Sequence, residues 1–270
     1  MGESSPDERY YVEVVAEASA LLRTFANAPY RFTLTEMSVA SGLSKNKTFR
    51  LLYTLAYTGL VQQDAETKRY TLGLPLLHLA SIVQGSNELL LAARDTLDWL
   101  QDTVGERINL GTYDGPDHAI CVDTRESARR LTISARIGVR LPLHAGAIPK
   151  ALLAFSTDAQ IASYLERNLP LRQFTPRTAT TAEALWDDLR AIRRGGFAVS
   201  DEDLDEAVCA LGAPIFDRHG MAVAAVSIAV PIERFGQDER DEYEVALQRA
   251  SERISRNLGF VVSFGRQGLA

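Results

Sequence analysis

The stretch TLTEMSVASGLSKNKTFRLLYTLAYTGLV, residues 33–61, decides how the N-terminal part of this chain folds. Thr33 or Thr35 can cap a helix running to about residue 41, because a threonine oxygen accepts from amides that a helix start leaves unpaired. Gly42 breaks that helix. Ser44 is a second N-cap, opening a helix to about residue 57 with Leu51, Leu52 and Leu55 on one face and Gly59 as its stop. Two helices meeting at a glycine-containing turn is helix-turn-helix geometry.

Upstream, residues 12–27 set Val15, Ala18, Leu21, Leu22 and Phe25 at helical spacing, ending before Pro29. Downstream, LVQQDAETKRYTLG (60–73) has strand-like ends around a polar turn at 64–68, which predicts a hairpin wing carrying Lys68 and Arg69 at its tip. Residues 74–83 follow as a linker helix. The expected division is a winged helix-turn-helix over 1–73, a linker helix over 74–86 and a larger domain over 87–270.

Composition agrees with two globular units. The 270 residues are 46% hydrophobic and 24% charged, near globular averages. No run approaches the roughly 20 apolar residues of a membrane helix. The start, MGESSPDERYY, is acidic and lacks an apolar signal core, so the expected address is the cytoplasm. Cys121 and Cys209 lie far apart in apolar runs and read as buried thiols. His78, His118, His144 and His219 show no ligand-like spacing, so no metal or cofactor is expected. The net charge of −6 is unevenly spread. Residues 21–73 carry seven basic side chains (Arg23, Arg31, Lys45, Lys47, Arg50, Lys68, Arg69) against Glu36, Asp64 and Glu66, a net of +4 that leaves −10 for the remainder. A basic head on an acidic body fits nucleic-acid binding by the head alone.

Beyond a helix at 87–104, the runs INLGTY (108–113), HAICVDT (118–124) and RLTISARI (130–137) are β-like, separated by the turns DGPD and ESAR. Helical patterns return at 150–155, 158–168 and 182–194. FAVS (197–200), ALGAPIFD (210–217), the turn RHG and AVAAVSIAVPI (222–232) give further strands, and a helix over 238–258 closes the chain. This order predicts an α+β unit with a mixed sheet flanked by helices.

Lys45, Asn46, Lys47, Phe49 and Arg50 fall in or near the first two turns of the third helix, where a recognition helix reaches base edges. Lysine can donate to guanine and asparagine can pair with adenine, so Asn46 and Lys47 are the candidates for base reading. Lys45, Arg50, Lys68 and Arg69 fit phosphate contacts. Arg50 has an alternative role, pairing with Glu36 to lock two helices. The C-terminal part has no glycine-rich phosphate loop, nucleophile elbow or metal-binding helix, and no catalytic residue is assigned. Its acidic run Asp201, Glu202, Asp203, Asp205 and Glu206 reads in three ways: a carboxylate catalyst with Asp203 and Lys150 as acid and base, a solvated loop, or a carboxylate bonded to backbone amides that shapes a pocket. PLHAGAIPK, leading into a helix start, offers free amides to an anion.

The run 33–61 followed by RYTLG (69–73) resembles the DNA-binding half of the isocitrate lyase regulator (IclR) family. GVRLPLHAGAIPKALLAF (138–155) and GGFAVSDEDLDEAVCALGAPIFDRHGMAVAAVSIAVPIERF (195–235) resemble its effector-domain signatures in the expected order. The resemblance covers about residues 17–258. It implies a winged helix-turn-helix, a linker helix and a GAF-like effector domain, working as a homodimer or dimer of dimers on double-stranded operator DNA and tuned by a small-molecule effector, with no membrane partner. By position, the effector pocket draws on Leu143, Ala147, Ile148, Ser200, Asp201, Asp203, Ala210, Ser227 and Ala229. The chain departs from the family pattern in several places. Pro149-Lys150 replaces Gly-Lys, Ala207 a glycine, Ala229 a serine, Ala210 a cysteine, and Asn46-Lys47 small hydroxyl residues. With two polar side chains absent, the pocket is expected to favour a larger or less polar effector, such as an aromatic compound. The alternative, from another class, is a small-metabolite enzyme tethered by its N-terminal module.

Overall fold

The computed structural model describes residues 9–26, 28–129 and 136–261. It divides into two compact units, the first ending at Asn87 and the second beginning at Glu88.

In the first unit, α1 (Glu13–Thr24), α2 (Leu34–Ser41) and α3 (Lys45–Tyr57) are followed by strands β1 (Val61–Gln63) and β2 (Tyr70–Leu72) and by α4 (Pro75–Ser86). Thr33 rather than Thr35 caps α2, and Glu36 completes a reciprocal capping box by accepting from the Thr33 amide at 2.8 Å. Gly42 takes φ +70°, which only glycine adopts without strain, and turns the chain into Ser44, whose oxygen accepts from Lys47 N. Leu21, Phe25, Phe32, Met37, Leu51, Leu52, Leu55, Val61 and Tyr70 close one core. The β1–β2 pair is the expected wing, with Val61 opposite Leu72, and a backbone bridge from Phe32 to Tyr70 ties it to the segment before α2. At its turn the Asp64 carboxylate accepts from Glu66 N and Thr67 N.

The second unit contains α5 (Glu88–Val104), β3 (Arg107–Tyr113), β4 (His118–Arg125), β5 (Arg140–Pro142), α6 (Ala147–Ala154), α7 (Asp158–Asn168), α8 (Ala182–Gly195), β6 (Ala198–Asp201), β7 (Val208–Phe216), β8 (Ala222–Pro231) and α9 (Gln237–Asn257). The six strands form one sheet in the order β5-β4-β3-β8-β7-β6. Every pairing is antiparallel, so the expected mixed sheet is corrected. The three helices between β5 and β6 carry the chain from one sheet edge to the other instead of making parallel crossovers. The strand expected at 130–137 falls mainly at 130–135, outside the described residues.

Each face of the sheet buries its own core. Ile108, Leu110, Leu211, Ala213, Val226, Ile228 and Val230 pack against α5 and α9. Ala119, Ala198 and Ala225 on the other face pack with α6, α7 and α8. All eight residues of α6 are buried, because it lies almost on the strands. Two glycines permit that approach. A Cβ on Gly212 would stand 2.7 Å from the Ala147 carbonyl oxygen, and one on Gly111 would stand 2.7 Å from Ile148 Cγ2. Ahead of α6, the buried His144 ring lies between Tyr164 and Arg172: Nε2–H donates to the Arg172 carbonyl at 2.9 Å and Nδ1 accepts from the Tyr164 hydroxyl at 2.7 Å. Burial holds the His144 pKa below the ordinary histidine value, against raising contributions from Arg172 O and Asp203.

Gly212→Ala is expected to cost about 1–3 kcal/mol by forcing α6 off the sheet. The melting temperature of the C-terminal unit should then drop by roughly 3–10 °C; an unchanged value would contradict the close approach. The His144 shift sets a second expectation. Above about pH 6.5 the ring is neutral both folded and unfolded, whereas at lower pH the unfolded chain takes up a proton that the folded chain resists, so stability falls. Wild type should therefore lose melting temperature more steeply from about pH 7 to pH 5 than His144→Asn. Equal slopes would show that the ring does not remain neutral in the fold.

Candidate functional site

Ser44 and Gly42 aim α3 outward, and its first two turns present Lys45, Asn46, Lys47, Phe49 and Arg50, all exposed. Phe49 is 47% exposed and stacks at 6.3 Å on Tyr53, itself 64% exposed. The Lys47 ammonium is bonded to Glu17 of α1, which raises the Lys47 pKa above the ordinary lysine value. Lys68 is exposed at the wing turn, with φ +57°. Glu36 is gripped by Arg69, not by Arg50: the Arg69 fork donates to both Glu36 oxygens at 2.9 and 3.1 Å and to Arg31 O at 3.0 Å. Arg69 therefore holds the wing to α2. Capping and this fork together keep the Glu36 carboxyl below its usual pKa, the Thr33 amide contributing most. Arg50 stands clear of that lock.

In the second unit, strand register brings most of the expected pocket residues to one face. Ser200 pairs with Ala210, Ala210 with Ala229, and Ala229 with Arg107. The adjacent row runs Ala198, Gly212, Ser227, Asn109 and Thr124. Ala147 of α6 meets Ala210 and Ala229 in a small cluster of methyl groups, while Leu143 and Ile148 belong to the core behind it. Asp201 is one residue out of phase. Its side chain is 53% exposed, pairs with Arg177 and meets the Cys209 thiol, so it does not join the others. Burial, with Asp201 adding to it, pushes that thiol up to about 12.

Asp203 anchors the site. Its Oδ1 accepts from Gly146 N at 3.1 Å and Ser200 Oγ at 2.5 Å, and its Oδ2 pairs with Lys150 Nζ at 2.5 Å. Lys150 also reaches Val199 O at 2.8 Å and Asp188 at 3.2 Å. Both groups are buried, with 6% and 4% exposure. All three ammonium protons are committed to the fold, so the pair works as a clasp between the turn after β6 and the start of α6. Of the three readings of the acidic run, the bond from a carboxylate to a backbone amide is seen at Asp203, through Gly146 N. In the same turn Ala207 keeps φ +60°, a left-handed conformation that glycine adopts more readily than alanine. At the α6 start the amides of Ala147 and Ile148 have no partner among the described residues, and Pro149 supplies none.

Arg107 and Asn109 were not among the expected residues, yet both lie on this face, 1% and 7% exposed. The alternation Arg107, Ile108, Asn109, Leu110, Gly111 carried the signal: its odd positions are polar or small while its even positions are core. Beginning the strand at residue 108 hid it. Among the described residues no His, Cys, Asp or Glu cluster could hold a metal, and no helix is long and apolar enough to cross a membrane.

Comparison with known proteins gives this geometry its context. Residues 14–65 match the IclR helix-turn-helix domain and residues 82–256 the family described as bacterial transcriptional regulator IclR C-terminal. The HTH-type transcriptional regulator KdgR of Escherichia coli is 32% identical over 227 residues, covering 84% of this chain and 86% of that protein. The crystal structure of an IclR-type regulator from Alicyclobacillus acidocaldarius superposes with a TM-score of 0.84 at 23% identity, covering 93% of this chain and 100% of that one. An IclR homologue from Microbacterium hydrocarbonoxydans, complexed with 4-hydroxybenzoate, superposes with a TM-score of 0.77 at 22% identity, covering 91% and 99%. The chain belongs to the IclR family of bacterial transcriptional regulators, with a helix-turn-helix DNA-binding domain followed by a C-terminal effector-binding domain.

Proposed function

We propose that α3 reads operator DNA in the major groove, with Asn46 and Lys47 addressing base edges, Phe49 beside them, and Lys45, Arg50 and Lys68 contacting phosphates. The observation that carries this reading is the exposed set Lys45, Asn46, Lys47 and Arg50 in the first two turns of a helix whose other face fills the core. Arg69 acts at one remove, fixing the wing through Glu36. The Glu17 carboxylate occupies Lys47 in the free protein and must be exchanged for DNA.

The effector site is the sheet face with Ala147, Ser200, Ala210, Ser227 and Ala229, closed by the Asp203–Lys150 clasp. The effector binds there without chemical conversion, because both acid–base candidates are held in place by the fold. The same fold in the Microbacterium protein holds 4-hydroxybenzoate, which supports an acid with an apolar body. The protein works in the cytoplasm as a homo-oligomer. Supporting this, α4 has no buried residue and exposes Leu77, Leu79, Ile82 and Val83, each by more than half, an apolar stripe that a second copy would cover. One recognition helix reads only a few base pairs, so two half-sites are needed for a useful affinity. The effector then shifts the balance between two arrangements of the paired heads.

Fluorescence anisotropy with the region upstream of the protein's own gene tests the DNA face. Replacing Asn46 and Lys47 together by Ala should reduce preference over random DNA to near unity; retained preference would remove the assigned role of α3. Glu17→Gln should strengthen binding to both DNAs several-fold, since it frees Lys47, and weaker binding would count against the exchange. For assembly, sedimentation of Leu77→Glu/Ile82→Glu should show a smaller species than wild type, and an identical distribution would place the subunit interface elsewhere.

A further inference from the structure

The third helix leaves an aromatic ridge in water. Phe49 is 47% exposed, Tyr53 64% and Tyr57 86%. They follow one another at spacings of four, which sets them along one side of α3, while Thr48, Leu51, Leu52 and Leu55 are buried on the other. The Phe49 and Tyr53 rings pack at 6.3 Å with 39° between their planes. A contiguous apolar ridge of this kind marks a surface that meets a partner.

The surroundings of the ridge choose that partner. Lys45, Asn46 and Arg50 are exposed within one turn of Phe49, and no acidic residue occurs from Lys45 to Tyr57. Such a basic rim complements phosphates, and it belongs to the helix assigned above to DNA. On the major-groove edges of the base pairs the C5 methyl of thymine is the apolar group, and the remaining groups are hydrogen-bond donors and acceptors. A phenyl ring can neither donate nor accept a conventional hydrogen bond, so its match in that groove is the methyl. Phe49 stands three residues beyond Asn46, about 4.5 Å along the helix. Base pairs repeat at about 3.4 Å along the duplex, so the two side chains address positions one or two base pairs apart.

We propose that Phe49 reads a thymine in each operator half-site through its C5 methyl group, one or two base pairs from the base addressed by Asn46. Tyr53 is a positioning residue: its ring backs that of Phe49 and limits the directions in which Phe49 can turn. This proposal rests on the placement of α3 in the major groove and adds an apolar component to the specificity that Asn46 and Lys47 supply through hydrogen bonds.

The test begins with a pool of random-sequence duplexes, from which full-length wild type selects its preferred DNA. Each thymine of the selected duplex is then replaced in turn by deoxyuridine, which removes the methyl group and leaves the base-pairing edge unchanged. Wild type should lose about fourfold in affinity at one thymine of each half-site, the effect of withdrawing one methyl group from contact, and should be indifferent at the others. Phe49→Ala should bind the thymine and uracil duplexes equally at that position, with an unchanged melting temperature because the side chain is exposed. Tyr53→Phe should keep the thymine-to-uracil ratio and Tyr53→Ala should lower it; loss of the ratio in neither variant removes the positioning role. A ratio of one at every thymine in wild type, or a ratio that Phe49→Ala leaves intact, overturns the proposal. If Asn46→Ala/Lys47→Ala then still abolishes selectivity, α3 keeps its place in the groove and the methyl contact alone falls. If wild type enriches no sequence, or if neither set of substitutions alters the one it enriches, both readings fall together. A smaller species for Phe49→Ala/Tyr53→Ala in sedimentation would assign the ridge to a subunit interface and likewise overturn the proposal.

Discussion

The second unit depends on seating a helix start almost in contact with a β-sheet and holding it there with a buried ion pair. Gly212 and Gly111 leave room for α6, and Asp203 reaches across to the Gly146 amide while Lys150 reaches back to Asp203. Two charges removed from water are favourable only when each is fully bonded, and breaking such a pair leaves an uncompensated charge costing about 3–5 kcal/mol. Here Asp203 accepts from an amide, a hydroxyl and an ammonium. The clasp fixes the turn after β6 relative to α6, and through it the row of small side chains that faces α6.

The first unit solves a different problem with surface charges. Its helices are short and its core is small, so the wing is held by a backbone bridge to Phe32 and by the Arg69 fork on Glu36. The same carboxylate caps α2, which makes Glu36 the point where helix start and wing are joined. This arrangement divides five of the seven basic residues of the head by their surroundings. Arg69 stabilises, Lys47 is held by an acidic neighbour, and Lys45, Arg50 and Lys68 remain open to solvent.

Much of this was legible in the sequence because local rules and tertiary context agree in the head. Caps, glycine stops and the spacing of Leu51, Leu52 and Leu55 all point to the helices that form. The second unit was harder to read where local and global signals diverge. A mixed sheet was expected because strand direction leaves no trace in a run such as AVAAVSIAV; it follows from the path of the connections. The start of α6 was placed at residue 150 instead of 147, since Gly146 and Pro149 read as loop punctuation, although a proline in the first turn gives up only an amide that lacks a helical partner. The three-residue β5 carries too little pattern to stand out. Of the pocket residues given by family position, Asp201 fails on phase: alternate side chains of β6 face opposite sides of the sheet, so Ser200 and Asp201 cannot share one. Arg69, and not Arg50, takes the partnership with Glu36, because nothing in sequence separation reveals that the wing reaches that carboxylate.

The contact between Lys47 and Glu17 has a consequence for how the protein finds its operator. A lysine already neutralised on its own chain contributes little to the counterion release that drives attachment to arbitrary duplex. If Lys47 meets DNA as proposed, residence at each wrong position would be shortened until a surface good enough to outbid the glutamate is met. Under that proposal a single acidic side chain on the first helix would trade dwell time for search speed.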